Sequence, residues 1–138
     1  MSAERFLDTN ILLYALSTAV EEQSKREIAL TLLESRDVGL SVQVLQEFYV
    51  QATRPTRSRP IRHEVAVQLI ESFLRFPVQV TDQGVLRNAL STSRRFRISF
   101  WDAAIIEAAR ALGCSLVLSE DLNHAQDYAG IQVVNPFL

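Results

Sequence analysis

Apolar and polar positions along this chain repeat with two different periods, and the changes from one to the other mark out its elements. Arg5-Phe6-Leu7 predicts a short strand that stops at Asp8. Residues 11–16 read as a first helix. Residues 21–35 read as a stronger one, with Ile28, Leu32 and Leu33 on one stripe. Residues 38–40 predict a second strand. Ser41 is placed to cap a helix through residue 52, in which Val42, Leu45, Phe48, Tyr49 and Ala52 recur at helical spacing. Residues 53–60 hold two prolines and several arginines and predict a loop. An amphipathic helix over 61–76, a third strand over 77–80 and a helix over 82–94 with an acidic cap follow. Residues 99–112 form a helix that is apolar almost all round, and so belongs in the centre; Gly113 ends it. Strands over 116–118 and 131–134 complete the series.

Short strands alternating with helices predict an α/β domain of three layers, α/β/α, around a mainly parallel sheet. No repeat, low-complexity tract or linker divides the chain, so residues 1–138 are expected to form one domain. With 48% hydrophobic and 22% charged residues, the composition is that of a soluble globular protein. No apolar run approaches the roughly 18 residues of a membrane span. The first five residues contain no signal-peptide core, and the lone Cys114 permits no internal disulfide, so a reducing cytoplasm is expected. A net charge of −2 excludes a polycation. The basic charge is nearly all arginine, since Lys25 is the only lysine.

Four carboxylates stand out because each lies in or against an apolar segment, where an unpartnered acid is costly. They are Asp8, Glu47, Asp102 and Asp121. In open α/β sheets ligands bind beyond the carboxyl ends of the strands. Asp8 and Asp121 fall just past such ends, and Glu47 and Asp102 lie on helices that lead to the same edge. Convergence there would give an all-oxygen, negatively charged pocket suited to a hard divalent cation, Mg²⁺ or Mn²⁺. Each acid also has a plain structural use. Asp8 can cap the helix after it, Asp102 can complete a capping box with Ser99, Glu47 can face solvent, and Asp121 can cap the turn into Leu122-Asn123-His124.

His63, His124 and Cys114 show no zinc spacing, and both histidines are expected at the surface. The four glycines are too scattered for a phosphate-cradling loop. Trp101 is expected to serve packing rather than base stacking. Two arginine groups remain, one around the 55–60 loop that includes Arg54 and Arg57, the other including Arg94 and Arg95 ahead of the Asp102 helix. Beside a metal pocket they would hold a polyanion.

In this order the chain resembles the PIN-domain ribonucleases of the VapC toxin type. The matching segments are Asp8-Thr9-Asn10-Ile11-Leu12, Leu45-Gln46-Glu47-Phe48-Tyr49, Ser99-Phe100-Trp101-Asp102-Ala103 and Leu118-Ser119-Glu120-Asp121-Leu122. The resemblance implies a Mg²⁺- or Mn²⁺-dependent endoribonuclease acting on RNA, a cognate antitoxin partner and a homodimer. By position it assigns the metal and catalysis to Asp8, Glu47, Asp102 and Asp121. Thr9, Asn10 and Ser119 become polar groups that orient ligands or substrate. Many members of the family place another Asp where this chain has Asn123; the resemblance then implies either that Glu120 compensates or that a second metal is weakly held. Two rivals use similar residues: a receiver-like phospho-switch, with Asp82 as acceptor, and a catalytically inactive RNA- or protein-binding module. Lys25 is in the wrong region for the first, and four intact acids count against the second.

Overall fold

The computed structural model describes residues 3–138. Among them are six strands in one sheet and six α-helices: β1 (Arg5–Leu7), α1 (Thr9–Leu16), α2 (Gln23–Glu34), β2 (Val38–Ser41), α3 (Val42–Thr53), α4 (His63–Phe73), β3 (Val78–Gln79), α5 (Gln83–Phe96), α6 (Phe100–Ala111), β4 (Leu116–Leu118), β5 (Asp127–Tyr128) and β6 (Ile131–Val134). The strand order is β3-β2-β1-β4-β6-β5, parallel except for β5 against β6. The chain steps from β1 to β2 to β3 in one direction, then crosses back to β4 on the other side of β1. Right-handed crossovers therefore place α1–α4 on one face and α5–α6 on the other, giving the three-layer α/β/α architecture. The reversal between β1 and β4 is a topological switch point, where such sheets open a crevice at the strands' carboxyl ends.

Phe6, Leu7, Val38, Leu40 and Val117 are buried in the sheet, and Ile11, Leu12, Val44, Phe48 and Ile106 cover it from the helices. Gly39 marks the closest approach: a Cβ there would stand 2.8 Å from Leu112 Cδ1 and 3.0 Å from Ala3 Cβ. Helices α5 and α6 meet through Ala89, Ala103 and Ala104, small enough to bring the two backbones together.

Local chemistry explains where the elements depart from the sequence pattern. Helix α1 begins two residues earlier than the pattern predicts, because Asp8 caps it at once, accepting from Thr9 N at 2.7 Å. The first turn of the expected 21–35 helix is a separate 3₁₀ turn, Val20–Glu22, where Ser17 Oγ donates to Glu22 Oε1. Helix α4 starts only at His63, since Ile61 N donates to Ala52 O and belongs to the end of α3. Helix α5 runs on to Phe96 and closes on Arg97 in a left-handed conformation, φ 55°.

Strand β5 has no counterpart in the sequence pattern. It pairs with β6 through a two-residue turn, Ala129-Gly130, at φ 53° and 95°. The usual Asn-Gly or Asp-Gly signal is missing. Arg110 holds the turn from outside instead, donating to Tyr128 O and Ala129 O, both at 2.7 Å, while within the hairpin Asp127 Oδ1 accepts from Gly130 N. Arg110 is itself anchored by the buried Glu107, which also accepts from Thr92 Oγ1 of α5. No helix among the described residues is long and apolar enough to cross a membrane.

Candidate active site

Parallel strands put their carboxyl ends on one edge, so Asp8 after β1, α3 after β2 and the Ser119–Asp121 segment after β4 start from neighbouring points. Asp8 is the centre of what they build, and it is buried. Its two oxygens are separately occupied: Oδ1 accepts from Thr9 N at 2.7 Å and Oδ2 from Ser119 Oγ at 2.7 Å. Ser119, fully buried, in turn accepts from Asp121 N and Leu122 N at 3.1 and 3.2 Å, which fixes the turn after β4. Asn10 Nδ2 donates to Asp121 Oδ2 at 3.1 Å, and Asn10 Oδ1 accepts from Glu120 N at 3.3 Å.

The frame continues into α3 and α6. Thr9 Oγ1 donates to Glu47 Oε2 at 3.0 Å. Gln43 Nε2 donates to Glu47 Oε1 at 3.1 Å and also to the Trp101 carbonyl at 3.3 Å, one residue before Asp102. Ser99 Oγ accepts from Asp102 N at 3.0 Å, so the capping expected of that pair is present from the serine side. Polar contacts thus join the segments carrying all four acids. Burial pushes the Asp8 carboxyl up to about 6, and the charges of Glu47 and Asp121 push the same way, against the pull of the Ser119 and Thr9 hydrogen bonds. A carboxylate held in that field is a natural ligand for a hard cation. The side chains do not converge further than this: among the described residues no three His, Cys, Asp or Glu stand close enough to hold one ion. The carboxylates of Asp8, Glu47 and Asp121 each accept from a neutral donor, which keeps like charges apart.

Thr9, Asn10 and Ser119 each donate to one of the acids: Glu47, Asp121 and Asp8 in turn. Glu120 and Asn123 do not face the acids. Glu120 is bound by Lys25 Nζ and Tyr14 OH on the outer side of α1. Burial would raise its pKa, but those two partners hold it below the usual carboxylate range. It therefore does not stand in for the aspartate that Asn123 replaces, and Asn123 donates to Gln126 instead. Arg57 is half-buried and shares a small pocket with Asn10, Leu13, Tyr14 and Glu22. It also lines a larger cavity of about 470 Å³ between the end of α1 and the 54–61 loop. Arg54 is the exposed C-cap of α3, and Arg94 and Arg95 lie in the last turn of α5, with Arg95 stacked on Phe96. No contact ties these last three to the acids.

Asp82 caps α5, accepting from Val85 N at 2.8 Å, and follows an edge strand, so the phospho-switch reading has no acceptor near the acids. Both histidines are exposed, as expected, and Cys114 is buried. Trp101 corrects another expectation: it is 64% exposed. Sequence reasoning missed Gln43, although its place four residues before Glu47 puts both on one helix face. It also missed the Tyr14–Lys25–Glu120 cluster, which nothing in local spacing announces.

The PIN domain family model matches residues 5–129, which span the β1/β4 switch point and the segments carrying the four acids. The chain belongs to the PIN domain family. Similar solved structures include a toxin–antitoxin complex from Klebsiella pneumoniae, 21% identical, TM-score 0.67, covering 98% of each chain. Mycobacterium tuberculosis VapC20, a sarcin–ricin-loop-cleaving toxin, is 21% identical with TM-score 0.66, over 86% of this chain and 92% of the other. DNA-bound VapBC from Salmonella typhimurium is 18% identical with TM-score 0.65, over 95% and 96%. At these identities the likeness concerns the fold. No curated protein matches the sequence.

Proposed function

We propose that this chain is a metal-dependent endoribonuclease and the toxin of a toxin–antitoxin pair. The observation that carries this is Asp8: a buried carboxylate at the switch point, fastened at both oxygens and lying in the field of Glu47 and Asp121. Asp8, Glu47, Asp102 and Asp121 would hold Mg²⁺ or Mn²⁺, which, when bound, supplies Lewis acidity and an activated water for phosphodiester hydrolysis. Thr9 and Gln43 set the rotamer of Glu47, and Asn10 and Ser119 fix the turn that carries Asp121. The carboxylates serve as ligands, and none needs to act as a covalent nucleophile. Arg57, beside Asn10, is placed to meet a phosphate flanking the reacting one.

The neighbouring structures support the biological setting: one of those proteins is a sarcin–ricin-loop-cleaving toxin, and others are toxin–antitoxin complexes. A cognate antitoxin is accordingly the expected partner. A homodimer is the expected assembly.

The test is cleavage of a labelled single-stranded RNA by the purified protein with Mg²⁺ or Mn²⁺, with chelator, and with Asp8→Asn or Asp102→Asn. Cleavage should need the metal, and each variant, still folded by circular dichroism, should lose at least about a hundredfold, as when a key charge-stabilising group is removed. Cleavage that survives the chelator, or a fully active Asp8→Asn, overturns the reading. Pull-down with the product of the neighbouring open reading frame tests the antitoxin, and light scattering tests the dimer.

A further inference from the structure

We propose that Trp101 and the hollow beside it form a nucleobase subsite, in which a base adjoining the cleaved phosphodiester stacks on the indole ring. The inference rests on the nuclease reading above and adds where the RNA strand is gripped.

Trp101 is the only tryptophan of the chain and is 64% exposed, unusual for so large an apolar ring. It is nevertheless held in place. Its carbonyl accepts from Gln43 Nε2, and the Phe100 ring meets it edge-on, with centroids 5.1 Å apart and planes at 78°. A hollow of about 340 Å³ adjoins the ring, lined by Gln43, Gln46, Glu47, Val50, Gln51 and Trp101. That is large enough for one base with part of its sugar.

The lining selects the ligand. It contains no arginine or lysine and one carboxylate, so it repels a phosphate. It offers a flat π-face, an apolar side chain and the amides of Gln46 and Gln51 as both donors and acceptors. A planar, neutral ring with donors and acceptors on its rim answers all of these, and a nucleobase is such a ring. Stacking on an exposed aromatic is also how single strands are held without sequence reading. Glu47 belongs both to this hollow and to the proposed metal ligands, and Asp102 follows Trp101 directly. A base seated here therefore lies next to the reacting phosphate. A second copy of the chain would be a poorer occupant, since it would bury a carboxylate and several amides at the centre of an interface, where charged groups are depleted.

The experiment uses the intrinsic emission of Trp101, unmixed with any other tryptophan. Wild-type protein is titrated in Ca²⁺, to limit turnover, with a short single-stranded RNA carrying a fluorescent end label. Anisotropy of the label reports binding, and Trp101 emission reports stacking. Emission should be quenched in step with binding, Trp101→Ala should weaken RNA affinity about tenfold or more, and Trp101→Phe should recover most of that loss. Binding with unchanged emission, or full affinity in Trp101→Ala, overturns the subsite while leaving the nuclease reading intact. Emission that shifts with protein concentration alone, without RNA, assigns the ring to contact with a second copy and also overturns it. Absence of RNA binding by anisotropy overturns the nuclease reading and the subsite together.

Discussion

Asp8 shows how much one residue can be asked to do. It caps α1, anchors Ser119 and carries charge in a buried place. Its pKa of about 6, against 3.8 ordinarily, means the folded chain binds a proton there more tightly than the unfolded chain. That contribution to stability is complete below the unfolded value and is lost as pH rises through about 6. In chelator, Asp8→Asn should therefore be more stable than wild type at pH 7, by at most about 3 kcal/mol. Losing the bond from Ser119 offsets about 1 kcal/mol of this. At pH 4 the advantage should vanish. Urea denaturation at both pH values measures it, and an Asp8→Asn protein less stable at pH 7 would show that capping outweighs the buried charge.

Among the elements, the least legible was the β5–β6 hairpin, and the reason is physical. Its turn is Ala129-Gly130, and the positive φ at Ala129 is stabilised by tertiary bonds from Arg110 rather than by the turn's own residues. Sequence pattern registers local preference, and here local preference points elsewhere. The Glu107–Arg110 pair should accordingly matter. Glu107 is 4% exposed, and Arg110→Ala leaves it with only Thr92 while freeing two carbonyls of the turn. Because Arg110 is about one-third exposed, a loss of about 2–3 kcal/mol is expected rather than the full value for a buried pair. Urea unfolding should report that loss, with faster hydrogen exchange in β5 and β6. Unchanged exchange there would mean the hairpin holds itself. By contrast, the helix starts at Ser41 and Ser99 were readable because the signal, a hydroxyl accepting from the third N–H onward, is local.

At the scale of the molecule, a chain with net charge −2 would need placed arginines, rather than its overall field, to hold the proposed RNA. Arg57 borders the α1 face that carries Asn10, whereas Arg94 and Arg95 end α5 with no contact toward the acids. Neutralising Arg54 and Arg57 should lower the log–log salt dependence of RNA binding by about 0.7 per lost contact on a single strand. The Arg94/Arg95 pair should change it less. Binding across a salt series in Ca²⁺ checks both, and equal slopes in all three proteins would leave the four arginines as ordinary surface charge.

The α/β alternation, the caps and the ordered acid motifs were all visible in the linear chain, because periodicity and capping act within a turn or two of the backbone. The family followed from those motifs in sequence. What the chain could not disclose was which neutral partners hold each acid. Asn10 meets Asp121 across 111 positions, Thr9 meets Glu47 across 38, and Gln43 meets Trp101 across 58. Lys25 and Glu120 are likewise 95 positions apart, so nothing local showed that Glu120 turns toward Lys25 while Ser119 turns toward Asp8. The exposure of Trp101 was hidden for the same reason. An apolar run is buried only where another layer covers it, and Trp101, 64% exposed, is left uncovered.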